Sequence, residues 1–236
     1  MAVPKTRFLL SQSKSGKMSY PVEELEKHVV NLREISIEKP CIGISATAIN
    51  TLIKVLDVRD PYTNCHQTAV SRISDLIAKE LGFSECQRSL IFIGSILHDI
   101  GKIAMPHDIL SKPTRLSAAE YKLLQEHSAI GKHLLSDFDR FFPKLSTIVE
   151  QHHERIDGSG YPFGLIGNEI LDETKIISVA DVVEAMSSHR PYRPALGLNK
   201  AIEEIMQGAG KIYDPEVSKA LISSYNNGLL LSILKD

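Results

Sequence analysis

Apolar residues in this chain recur at helical spacing and almost never alternate as they would along a strand. Val70, Ile73, Ile77 and Leu81 share one face of the segment 63–81, and Gly82 stands where that helix would stop. Residues 85–98 read as a buried helix, 174–187 are strongly apolar, and 145–154 reads as another short helix. Ser117 and Glu120 form a capping-box pattern ahead of Leu123, Ile130 and Leu134, which fall on one face. Asp214 before Pro215 is an N-cap followed by proline at the first helical position. No internal repeat, heptad series or low-complexity tract appears. The pattern predicts an all-α bundle, and 236 residues are ample for one core.

Two parts are expected. Residues 1–43 begin with Lys5, Arg7, Lys14 and Lys17 and no acid in the first twenty positions, then place Val22, Leu25, Val29, Leu32 and Ile35 at helical spacing before Pro40 and Gly43 break the run. They read as a tail and helix that serve as an attachment or as a contact to a second copy or a signalling partner. An ordinary helix packed on the main domain fits the same pattern. Residues 44–236 form the main domain. With 27 basic and 29 acidic side chains the formal charge is −2, which offers no general field for long nucleic acid or anionic lipid. The apolar runs are too short to span a bilayer or form a signal peptide. Cys41, Cys65 and Cys86 are odd in number and far apart, so neither a disulfide framework nor a thiolate zinc site is expected, and a reducing cytoplasm is the natural setting.

A helical face turned to the core should be apolar, and here it repeatedly is not. His127 points with Leu123, Ile130 and Leu134. His152 and His153 extend stripes begun by Ile148 and Val149. Asp181 lies between Ile177 and Ala185, His98 and Asp99 end an apolar helix, and His66 opens one. A single buried histidine is commonly just hydrogen-bonded. A buried carboxylate without a cation costs several kcal/mol, so Asp181 needs a positive partner, and no Lys or Arg shares its face. Five histidines and two aspartates on inward faces of separate helices are a usual way for a bundle to hold two metal ions. His28, His107, His133 and His189 are read as ordinary residues, with His107 in a loop.

Several of these residues stand in a recognisable order. His98-Asp99 with Gly101 and Lys102, then His152-His153-Glu154, then Asp157 to Pro162 with Gly158, Gly160 and Tyr161, resemble the HD-GYP family of bacterial cyclic di-GMP phosphodiesterases within the HD phosphohydrolase superfamily. The match runs from Arg59–Thr63 and His66 through Lys112-Pro113, His127, Val179–Val182 and Arg190–Arg193 to Tyr213-Asp214-Pro215, about two-thirds of the chain. The resemblance implies an HD-type helical bundle. It implies that His66, His98, Asp99 and Asp181 hold one metal ion, and that Asp99, as a bridge, holds the other with His127, His152 and His153. Lys102 would lie beside the scissile phosphate, Arg190 and Arg193 would contact phosphates or guanine, and the glycine loop with Tyr161 would shape the pocket mouth. Gln67, His107, Thr114 and Glu184 depart from the family's usual residues without removing a ligand. Tyr62 stands where members with a third metal have Glu, so two ions are expected.

The chemistry is coherent without the family name. Imidazole and carboxylate ligands without thiolate suit Fe, Mn, Co, Ni or Zn and discriminate little among them; Fe or Mn is expected, with Zn, Co or Ni as alternatives. Two ions sharing one carboxylate leave open positions, can activate a bridging water and can clamp a phosphate, which fits phosphodiester hydrolysis with Asp99 and Lys102 as catalytic groups. The expected substrate is cyclic di-GMP, cleaved to pGpG or onward to GMP, lowering the second-messenger level in bacterial signalling. The alternatives are an HD hydrolase for another cyclic nucleotide or dinucleotide, and a non-catalytic module that binds cyclic di-GMP or a protein.

Overall fold

Local signals set most helix boundaries. The computed structural model describes residues 27, 47–56, 63–189 and 194–234, and among these only two isolated bridges resemble sheet pairing. Residues 47–56 are helical. α1 (Thr63–Glu80) stops as Gly82 takes a φ of 76° and the Phe83 amide bonds back to the Ala78 carbonyl. α2 (Glu85–Leu97) starts at a capping box between Ser84 and Gln87. A 3-10 turn (Ile100–Ala104) leads to the single turn α3 (His107–Leu110), so His107 opens a short helix rather than lying in a loop. α4 (Ala118–Gln125) carries the expected Ser117–Glu120 capping box. α5 (His127–Leu135), α6 (Leu145–Gln151), α7 (Asp172–Ser187) and α8 (Leu198–Gly208) follow. Asp214 accepts the amides of Glu216 and Val217 to start α9 (Pro215–Asn226), and α10 (Leu229–Ile233) comes last.

One periodicity reading fails. Leu123 and Leu134 are 43% and 45% exposed, while α5 buries His127, Ser128, Gly131 and Leu135. The helix is interrupted at Glu126, whose amide bonds to the Leu123 carbonyl, and His127 begins a new helix. The phase set by Leu123 therefore does not carry across the break.

α1 packs on α2 and α7, α8 covers α7, and α5 lies on α6 and on the 3-10 turn. Ile73, Ile77, Ile91, Ile96, Ile148, Ile177 and Val183 are fully buried where these helices meet. Each such side chain contributes roughly 1.5–3 kcal/mol of burial. The seam between the 3-10 turn and α5 is closed backbone to backbone. A Cβ on Gly101 would stand 1.9 Å from the His127 carbonyl oxygen, so only glycine lets Asp99 and His127 approach as they do. No helix among the described residues is long and apolar enough to cross a membrane. Apart from Lys27, residues 1–43 lie outside the described residues, as do Tyr62, Arg190 and Arg193.

Candidate metal centre

The predicted ligands sit mostly at helix ends. His66 is in the first turn of α1. His98 caps the C-terminus of α2 and Asp99 follows it. His127 is the first residue of α5, directly after α4. His152 caps α6 and His153 comes next, so both lie just past the helix rather than on its face. Asp181 alone comes from the middle of a helix, α7.

Helix ends explain the orientation of three rings. The last carbonyls of a helix lack amide partners. Nδ1 of His98, His127 and His152 lies 2.6 Å from the carbonyls of Ser95, Leu124 and Val149, each three residues earlier. A carbonyl can only accept, so each Nδ1 carries its hydrogen and each Nε2 keeps a free lone pair. The C-termini of α2, α4 and α6 also bring negative dipole ends towards a cation.

These lone pairs converge in two groups, one formed by His66, His98 and Asp181 and the other by Asp99, His127, His152 and His153, with ligand atoms within 4.8 Å of one another in each. Asp99 touches both. Its Oδ2 is 3.2 Å from His98 Nε2 and 3.8 Å from His66 Nε2, and its Oδ1 is 3.4 Å from His127 Nε2 and 4.0 Å from His152 Nε2. His66 Nε2 stands 3.2 Å from Asp181 Oδ1. His127 and His152 bring two lone-pair nitrogens to 3.3 Å, an arrangement that repels unless a cation lies between them. The donor set fits divalent metal.

Electrostatics agree. Burial opposes ionisation of Asp99, but Lys102, His98 and His127 hold it well below the usual carboxylate range. Burial likewise opposes ionisation of Asp181, and the His66 hydrogen bond overcomes it. Burial drives His127, His152 and His153 below the ordinary histidine value, so they are neutral at pH 7. For His66 burial works the same way, but hydrogen bonds and charge from Asp181 and Glu184 prevail and raise it to about 9. A proton there answers a surplus of negative charge that a metal ion would answer instead.

The rim is built differently. Lys102 donates to Asp99 Oδ2 at 2.6 Å and remains partly exposed. Tyr161 stacks on His153, with ring centroids 4.6 Å apart, and its ring also borders His127. Its loop is shaped locally, since Asp157 Oδ1 accepts both the amide and the hydroxyl of Ser159. A Cβ on Gly160 would come within 2.5 Å of backbone atoms of His153, Glu154 and Arg155, so the loop lies flat on the ligand-bearing chain. Gly158 adopts a φ of 81°.

Two residues to which the sequence reading gave no role have clear ones here. Buried Glu154 accepts the amides of Phe163 at 2.8 Å and Leu165 at 3.0 Å, tying the loop down. Buried Glu184, one turn after Asp181, holds His66 Nδ1. The available signal was an acid on an otherwise apolar helical face. His107, His133 and His189 are exposed and stand outside both groups, and His28 lies outside the described residues.

The comparisons with known proteins agree with this geometry. The family model described as HD domain matches residues 50–217. The chain is 35% identical over 204 residues to the 3′3′-cGAMP-specific phosphodiesterase 3 of Vibrio cholerae, covering 86% of this chain and 44% of that protein. It is 41% identical over 167 residues to the cyclic di-GMP phosphodiesterase of Thermotoga maritima, covering 70% and 45%. It thus spans less than half the length of either relative. The structure of Bd1817, an HDG"Y"P protein from Bdellovibrio bacteriovorus, shares the fold with a TM-score of 0.61 at 17% identity, covering 92% of this chain and 75% of that one. The HD-domain match encloses all seven converging candidate ligands, from His66 to Asp181, and the chain belongs to the HD-domain family.

Proposed function

We propose that this chain is a metal-dependent phosphodiesterase that hydrolyses cyclic di-GMP to pGpG, and to GMP where the second bond is also cut. The observation that carries the reading is the position of Asp99, with one oxygen towards each of two histidine groups. We assign His66, His98, Asp181 and Asp99 Oδ2 to one divalent ion, and His127, His152, His153 and Asp99 Oδ1 to a second, with Fe or Mn as the metal. Ions held there would activate water for attack on phosphorus and neutralise charge on the phosphoryl oxygens.

The chain's own groups do the rest. Lys102, partly exposed beside Asp99, can turn its ammonium to a phosphoryl oxygen or give a proton to the leaving 3′ oxygen. Tyr161 offers a ring wall over His153 against which a base or ribose can rest. Gly158 and Gly160 let the loop backbone come close to an anion. Arg190 and Arg193 are assigned to phosphate or guanine binding on the motif alone. The same reading makes 44–236 the catalytic unit, gives 1–43 to a dimer or signalling contact, and places the protein in the cytoplasm.

A second reading, hydrolysis of another cyclic dinucleotide, is favoured by the name of the Vibrio cholerae relative, which specifies 3′3′-cGAMP. Protein loaded anaerobically with Mn or Fe should be offered cyclic di-GMP and 3′3′-cGAMP in parallel. Faster loss of cyclic di-GMP with release of pGpG is expected. Faster loss of 3′3′-cGAMP would select the second reading, and no turnover of either by metal-loaded protein would refute both.

A further inference from the structure

The two halves of the centre are unequal in charge. The His127, His152 and His153 half offers three imidazoles and a share of Asp99. The His66, His98 and Asp181 half has the other oxygen of Asp99, the carboxylate of Asp181 and, behind His66, the carboxylate of Glu184. Lys102 offsets part of this from the rim. The histidines also differ in what holds them. His98, His127 and His152 donate Nδ1–H to backbone carbonyls, which are neutral dipoles. His66 alone among these four meets a full negative charge at Nδ1. An anionic acceptor draws the Nδ1 proton outward and makes Nε2 a stronger donor to a cation. Glu184 is 3% exposed, so solvent does little to screen it. It lies three residues after Asp181 on α7, so one helix supplies a ligand and the support for another ligand.

We propose that Glu184 is a positioning residue that acts through His66, and that it makes the His66–His98–Asp181 subsite the tighter of two unequal metal subsites. The inference rests on the two-ion reading above. Loading should then proceed in two steps, with the His66 subsite filling first.

The test is Mn2+ binding to the metal-stripped protein, followed by calorimetry and by the Mn2+ electron paramagnetic resonance signal. The variants are Glu184→Gln, Glu184→Ala and His127→Ala. Glu184→Gln keeps the shape and an oxygen that can accept from Nδ1, and removes only the charge. Wild type should bind in two resolved steps. Glu184→Gln should weaken the tight step by about 10- to 100-fold and spare the weak one, and Glu184→Ala should lose at least as much. His127→Ala should lose the weak step and keep the tight one. Circular dichroism of Glu184→Gln should match wild type. Two steps in wild type with the tight step unchanged in Glu184→Gln, or with only the weak step affected, would overturn the role of Glu184 and leave the two-ion reading standing. One bound ion, or none, in wild type would overturn both.

Discussion

The helix-end seam that carries the candidate ligands and the loop that covers them are built by opposite means. In the seam, backbone meets backbone at Gly101 and three rings are pinned by the last carbonyls of α2, α4 and α6. In the loop, few residues are deeply buried, and Phe163 and Ile166 are 60% and 56% exposed. Glu154 and the Asp157–Ser159 turn hold it in place. On the proposed reading the seam holds the metal and the loop shapes what reaches it.

The largest effect should come from Gly101→Ala. Its new methyl meets the His127 backbone at 1.9 Å, so the 3-10 turn and α5 must separate. Unfolding by urea should show a loss of about 3 kcal/mol or more, with metal lost as well. If metal content survives, the seam is not what sets the ligand geometry. Glu154→Gln should cost roughly 1.5–3 kcal/mol, because two amides lose a charged acceptor. Metal should stay while KM for the dinucleotide rises. Loss of metal in this variant would mean that loop and seam are one unit.

Tyr161→Leu should remove a ring contact of roughly 0.5–1.5 kcal/mol and raise KM several-fold, with metal unchanged. Smallest is Glu120→Gln, in the first turn of α4. Glu120 is lowered from 4.5 to about 2 by Lys112 first and by the Ser117 cap. A depressed carboxyl value stabilises the fold above the unfolded value and loses that contribution as pH falls. Thermal melts should therefore show wild type slightly above the variant at pH 7, with the gap closing between about pH 4.5 and 2. A gap that widens on acidification would reverse the sign.

The seam was legible in the sequence because burial there conflicts with polarity. His66, His98, Asp99, His127, His152, His153 and Asp181 stood out as polar groups in apolar surroundings, and the structure brings all seven together. The stripe that places His127 is only partly right: the break at Glu126 takes Leu123 out of phase, and Leu134, on the same helix as His127, is itself 45% exposed. Glu154 and Glu184 were passed over because their partners, two loop amides and a ring 118 residues away, are not neighbours in sequence. Glycine close approach was equally hidden, because Gly101 meets α5 only once the helices have packed.

The central claim is that Asp99 joins two metal subsites into one centre. Its most direct test is metal content per chain, measured on anaerobically purified wild type and Asp99→Ala. The account predicts two divalent ions per wild-type chain and loss of both in the variant, since each group of histidines loses its shared carboxylate. A folded Asp99→Ala protein that keeps two ions would contradict it.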